Sequence, residues 1–410
     1  MSKLLLTSDI VLPISSHPLK EAAVYIEEGV IKDLGPASKL MSEYRGVKTL
    51  ELGEGVLLPG FINAHVHLEL GWIKEKIGVF QGFTGWLKQI INAKREPIAE
   101  ETIEFSVKQG IKALISSGVT TVGEISSYGG IDKPILKHSG LRTVLFREVL
   151  DSKEQTCDLS NFETGPIYEE RLFPHSPYSC SPGLLGKVLE SHMRNKIPLG
   201  VHLAESPHEM EFVRGKENAI ESTIFPIIGK ESFSRNMADT PFSYLNEIGF
   251  FDGAGVTTVH MVQVRPEEVH EIRAKNVGIV LCPRSNLFLQ VGVPPLGDYR
   301  CLDRLGLGTD GLSSNYNLDY FEELRFLHLL MSLSLGKDAA SKSVYCATLG
   351  GAKSLYIEDK TGSIEKGKEA DLIFLNSGNQ SNDPYLSVIS STKDNLEMSM
   401  VRGNIIYERK

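Results

Sequence analysis

Eight short apolar runs recur between residues 57 and 360, and each ends in polar or Gly/Pro-rich residues: LLPGFINAHVHL, GVTTVGEIS, RTVLFREVL, RLFPHSPYS, PLGVHLAES, GVTTVHMV, VGIVLCPRSN and LGLGTDGLSSN. Helix-like stretches fall between them, the alternation that βα units and a parallel sheet impose. Eight such units in about 300 residues predict a (β/α)8 TIM-like barrel, in which chemistry sits on the loops after the C-terminal strand ends.

The two chain ends read differently. DIVLPI, AAVYIEEGVIKDLG and VKTLELGEGVLLP alternate apolar with polar positions, as do ADLIFLN and EMSMVRGNIIYE, the last around a hairpin-like Arg402-Gly403-Asn404. Residues 1–56 and 361–410 are therefore expected to form a small β-sandwich domain beside a 57–360 barrel, an α/β chain overall. At 410 residues, a large domain with a smaller companion is the expected plan.

Composition narrows the partners. A net charge of −9 argues against a phosphate-binding surface and so against nucleic acid, leaving a small molecule as the expected partner. The N-terminal apolar runs are too short for a signal segment or a membrane span, which predicts a cytoplasmic protein with no membrane association. Five scattered cysteines, Cys157, Cys180, Cys282, Cys301 and Cys346, lack CxxC spacing and suit a reducing compartment, each read as a small buried apolar side chain. Oligomeric state is left open, a homodimer included.

The strand ends carry the chemistry. His65 and His67 are two apart, so period-2 alternation points both imidazoles to one side, the interior of a barrel. His202 ends LGVHL, with Glu205 three residues on; His260 ends VTTVH; Asp310 lies between Gly308 and Gly311 in LGLGTDGLSSN, where glycine permits close backbone approach to a ligand. Each alone is ordinary: a core histidine, a solvated glutamate, a turn aspartate. Together, at the ends of barrel strands, they form a set suited to one divalent ion, with three imidazoles and one carboxylate as ligands and a position left for water. Zn2+ is the first expectation, and Fe2+ suits the same donors. Such an ion brings the pKa of water toward neutrality. Asp310 is then placed to take the water's proton and His260 to hydrogen-bond the attacking oxygen, leaving Glu205 to protonate a ring nitrogen of the substrate.

These residues, with HSPYSCSP, LCPRSNLFLQVGVPPL, ATLGGAKSL and GSIEKGKEADLIFLN, resemble the amidohydrolase superfamily, in its branch of cytosolic aminohydrolases, nearly end to end. The resemblance implies His65, His67, His202 and Asp310 as metal ligands, Glu205 and Asp310 as proton carriers, and His260 beside the metal. HSPYSCSP resembles the segment of S-adenosylhomocysteine and methylthioadenosine deaminases whose histidine, here His175, contacts the nucleoside. The first-strand loop, GWIKEKIGVFQGFTGWLKQIINAKRE, departs from that pattern, and its FxGFTGWL resembles the aminodeoxyfutalosine deaminases, which convert 6-amino-6-deoxyfutalosine to futalosine in menaquinone biosynthesis.

Substrate contacts expected on this basis are Trp86, Arg147, His175, Glu205 and Ser314. Trp86 and Phe83 would stack on an aromatic 5′ tail, with packing beside Leu87 on a helix as the alternative. Arg147 would meet a substrate carboxylate, unless it forms a structural ion pair. Ser285 and Asn286 are read as loop-ordering residues first and substrate contacts second. A binuclear amidohydrolase needs a bridging Lys or Glu near the fourth strand, which here ends in His175-Ser176-Pro177. The remaining alternatives are a deaminase of adenosylhomocysteine, methylthioadenosine or adenosine, guanine and cytosine deaminases less so, and a catalytically inactive scaffold.

Overall fold

A computed structural model describes residues 3–79, 81–151, 158–376 and 383–409. Cys157 and Phe80, the first residue of FxGFTGWL, lie outside the described residues. Each of the eight apolar runs contains a strand: Phe61–Val66, Val119–Ser126, Arg142–Val149, Tyr168–Pro174, Leu199–Leu203, Val256–His260, Gly278–Leu281 and Leu305–Leu307. Neighbours pair in parallel in chain order, and the eighth returns to the first through Leu307 and Asn63. Between the fourth and fifth strands no ladder forms among the described residues; the His202 N–H donates to the His175 carbonyl at 3.0 Å across that seam. These strands read as unbroken apolar runs because both faces are covered. The inner face holds Val144, Phe146, Phe173, Val259 and Val280. Between the third and fourth strands the described residues hold no helix: 158–167 carry the short strand Thr164–Gly165.

The chain ends share one sheet. Its strands run in the order 404–408, 396–401, 372–375, 56–59, 3–11, 19–27, 30–36. The expected sandwich is a single hydrogen-bonded network that forks at Lys3–Val11, because Leu4–Thr7 pair with Lys48–Glu51 while Ile10 and Val11 pair with Val56 and Leu57. Its tight hairpins turn at Glu28-Gly29 (φ 56° and 76°) and Arg402-Gly403 (φ 46° and 72°), the positive pair that a right-twisted two-residue turn requires. Buried Arg142 of the third barrel strand donates through Nε to Asp371 Oδ2 at 2.7 Å and ties this sheet to the barrel. Among the described residues no helix is long and apolar enough to cross a membrane. Cys180, Cys282 and Cys346 are buried as expected, but Cys301 is exposed, at the end of a short 3-10 turn (Asp298–Cys301) on the surface.

Candidate active site

The C-terminal strand ends converge. His65 Nε2 lies 3.3 Å from His202 Nε2 and 3.6 Å from Asp310 Oδ1, and His67 Nε2 lies 3.7 Å from the same oxygen. All four side chains are buried. Close backbone contact permits this. A Cβ on Gly308 would stand 2.8 Å from the His65 carbonyl oxygen, and one on Gly311 3.1 Å from His67 Cβ. The two glycines thus serve the approach of strand eight to the histidine strand, in place of the expected approach to a ligand.

Backbone and hydroxyl groups aim Asp310. It sits at φ 58°; Oδ1 accepts from the Gly311 N–H at 2.7 Å, and Oδ2 from the Ser285 and Ser314 hydroxyls at 2.6 and 2.9 Å. Ser314 is therefore an orienting residue for Asp310 and not the substrate contact expected; its neighbour Ser313 lines the recess instead. Burial alone would raise the Asp310 carboxyl, but His65, His67 and His260 outweigh it and hold it well below the usual range.

His260 closes the sixth strand at φ 77°, a left-handed turn that swings its ring into the site. Its Nδ1 lies 2.9 Å from Asn286 Oδ1, an acceptor, so Nδ1 carries the proton and Nε2 presents a lone pair. Burial lowers its pKa to about 4, which keeps the ring neutral. Nε2 faces Glu205 Oε1 at 3.5 Å. Burial, then the charges of Asp310 and Glu209, push the Glu205 carboxyl well above its ordinary value, which favours its acid form.

Glu209 is a functional residue that the sequence reading missed. Its carboxyl accepts the N–H of Ala204 at 3.1 Å and of Glu205 at 2.9 Å, fixing the kink at Ala204 (φ 53°) that turns Glu205 inward. The signal was present as Ser206-x-x-Glu209, a capping pattern: Ser206 caps Pro207–Val213 while Glu209 reaches back past the cap. Glu209→Gln leaves one of those buried N–H groups facing an amide NH2. An unmet buried donor costs about 1–3 kcal/mol. The expected result is a lower melting temperature and a lower kcat with metal content unchanged; wild-type kcat would show that Glu205 is aimed by something else.

A recess of about 60 Å3 opens over these groups, lined among others by Trp86, Glu148, His175, Tyr178 and Ser313. Trp86 is fixed there by its Nε1–H, which donates to the Ser313 carbonyl at 2.7 Å. Phe83 is buried beside Trp86 and Tyr178 and acts in packing. His175 stacks edge-on to His202, with its Nδ1 3.0 Å from the hydroxyls of Ser176 and Ser179. Arg147 is not at the site. On the third strand Val144 and Phe146 face inward and Glu148 lines the recess, so Arg147 projects to the opposite face, 3.7 Å from Glu170 and over the Phe162 ring. Lys94 stands 3.8 Å from Glu148.

The donor set fits one divalent ion. Four ligands at 2.0–2.1 Å around a tetrahedral ion are about 3.4 Å apart, close to the 3.3, 3.6 and 3.7 Å of the pairs given above; the donors fall in two groups that share His65, one with His67 and His202 and one with His260 and Asp310. His202 Nδ1 lies 3.1 Å from the His175 carbonyl and so carries that ring's proton, which leaves its Nε2 lone pair facing His65 Nε2 at 3.3 Å, to be met by a shared proton or by a metal ion. Burial, then neighbouring imidazoles, push His67 and His202 well below the ordinary histidine value, leaving neutral rings of the kind that bind metal.

A parallel eight-strand barrel with converging imidazoles and carboxylates at its C-terminal face is the frame of a hydrolase. The Amidohydrolase family matches residues 56–406, and the chain belongs to that family, an enzyme acting on carbon–nitrogen bonds. The 5-methylthioadenosine/S-adenosylhomocysteine deaminase of Moorella thermoacetica is 28% identical over 389 residues, covering 92% of this chain and 86% of its own. The 5′-deoxyadenosine deaminase of Methanocaldococcus jannaschii is 29% identical, covering 87% and 83%. The crystal structure of Helicobacter pylori aminofutalosine deaminase with methylthio-coformycin is similar at a TM-score of 0.83 and 25% identity, covering 98% of this chain and 100% of that one.

Proposed function

We propose that this enzyme hydrolytically deaminates an adenine nucleoside, with 6-amino-6-deoxyfutalosine as substrate and futalosine and ammonia as products. The observation that carries the deamination is the buried Glu205 carboxyl, its pKa pushed upward, set 3.5 Å from the neutral His260 ring beside the donor cluster. His65, His67, His202 and Asp310 would hold one divalent ion, Zn2+ by donor chemistry, which when bound makes hydroxide available near neutral pH. Glu205 donates its proton to ring N1, so that C6 becomes electrophilic. His260 Nε2 accepts a hydrogen bond from the incoming water, and Asp310 takes the water's proton and passes it to the departing amine. The remaining C6 hydroxyl proton returns to Glu205 as the carbonyl forms, so that oxygen replaces nitrogen at C6 and ammonia leaves.

The choice of 5′ group rests on the FxGFTGWL loop, on Trp86 at the recess wall, and on similarity to the aminofutalosine deaminase of H. pylori. The names of the relatives at 28% and 29% identity favour a second reading, in which methylthioadenosine, S-adenosylhomocysteine or 5′-deoxyadenosine is the substrate. An ammonia-release screen across adenine nucleosides that differ only at the 5′ position separates the two. Aminodeoxyfutalosine is expected to give the highest kcat/KM, and higher efficiency on methylthioadenosine or S-adenosylhomocysteine would overturn the first reading. In the same screen Trp86→Ala narrows the gap between aminodeoxyfutalosine and plain adenosine by about 2–12-fold, the size of a lost aromatic contact of about 0.5–1.5 kcal/mol. An unchanged gap would assign Trp86 to packing.

A further inference from the structure

The catalytic recess opens outward. A chamber of about 450 Å3 adjoins it, and the two share Ile90, Lys94, Glu148, His175 and Tyr178 at their junction. That volume lies within the usual range for ligand sites. Its walls are apolar: Leu87, Ile90 and Ile91 on one side, Ile224, Phe225 and Ile228 on the other.

Its charge differs in sign from that of the whole chain. The protein carries a net charge of −9, yet among the described residues the chamber is lined by Lys94, Arg95 and Lys230 against Glu148 and Asp151. Lys94 and Glu148 face each other at the junction, 3.8 Å apart. Arg95 donates to the Ile227 carbonyl and holds the rim. Lys230 lines the chamber and not the recess, over the rings of Phe225 and Phe233 at 5.3 and 4.6 Å from their centres. It donates to the Ser179 carbonyl at 3.1 Å and stands 3.5 Å from Asp151 Oδ2, while Asp151 also accepts from the backbone and hydroxyl of Ser181. An ammonium has three donors, and those contacts use two.

We propose that this chamber binds the 5′ substituent of the substrate, that the substituent is apolar and ends in a carboxylate, and that Lys230 recognises the carboxylate. The assignment rests on the nucleoside reading above. The apolar walls fit a ring or alkyl stem, and the partly buried ammonium fits one anion at its end. Lys230 thereby takes the role that strand parity denies to Arg147.

A matched pair of probes tests it: 5′-deoxy-5′-(4-carboxyphenylthio)adenosine and 5′-deoxy-5′-(phenylthio)adenosine, which differ by the carboxylate alone. For each, kcat/KM is measured by ammonia release and affinity by calorimetry on the holoenzyme. The wild-type protein is expected to prefer the acid by about 10–100-fold, the span of one charge-assisted hydrogen bond. Lys230→Met brings that ratio close to one by weakening the acid far more than the neutral probe; Lys230→Arg restores part of the preference, and Arg147→Met keeps it whole. A ratio that survives Lys230→Met, or an equal fall for both probes, overturns the assignment. Retained preference in binding without ammonia release from either probe would sink the deaminase reading and leave the chamber's role standing.

Discussion

Glu205→Gln is expected to keep its metal and lose about 10²–10⁴-fold in kcat, the usual contribution of a positioned proton donor. The substitution preserves shape and removes the acidic proton. Glu205 belongs to none of the closely spaced donor groups, which join His65, His67 and His202, and His65, His260 and Asp310, so metal content should match wild type. Its neighbour His260 would still be oriented by Asn286. The pH profile gives a second readout. Burial and nearby carboxylates raise the Glu205 pKa, so the acid form persists to higher pH than in an ordinary glutamate and is lost as pH rises through that raised value. Activity in the wild type should therefore decline on the alkaline side, and that limb should be absent from the residual activity of the variant. Normal turnover by Glu205→Gln would place the proton donor elsewhere.

How much of this was legible in the sequence depended on whether the signal was local. The barrel strands were, because burial on both faces leaves continuous apolar runs with abrupt polar ends. His65, His67, His202 and Asp310 were legible for the same reason: each interrupts or closes such a run. Parity was not. In RTVLFREVL both faces are covered, so apolar alternation does not show whether Arg147 or Glu148 points inward, and only the packing of Val144 and Phe146 in the barrel interior decides it. A similar one-residue ambiguity exchanged Ser313 and Ser314 in the loop after Asp310, where hydrogen bonding assigns one to the recess wall and the other to the carboxylate. The outer chamber was illegible for a different reason. Its walls come from residues near 90, 150, 178 and 228, brought together by the barrel and by a segment of short helical turns, Ile220–Ile228, that shows no catalytic motif.

Removing the metal should have the largest effect of all, taking turnover below detection. Three of the four donors are the imidazoles His65, His67 and His202, and the fourth is Asp310, whose other oxygen is already satisfied by Ser285 and Ser314. A bound divalent ion shifts the pKa of water from about 15.7 to about 7, so without it hydroxide at neutral pH is scarcer by roughly eight decades. Stability should move with activity: ligand bound only to the folded state adds about 4 kcal/mol at a free concentration a thousand times Kd, so the chelated protein melts at a lower temperature and recovers on addition of Zn2+. His202→Ala should reproduce the chelated protein, with less than one equivalent bound and no rescue by added metal at stoichiometric levels. Elemental analysis of the wild type should return one equivalent per chain. Two tightly held equivalents would revive a binuclear centre, and full turnover in a rigorously metal-free preparation would remove the ion from the reaction altogether.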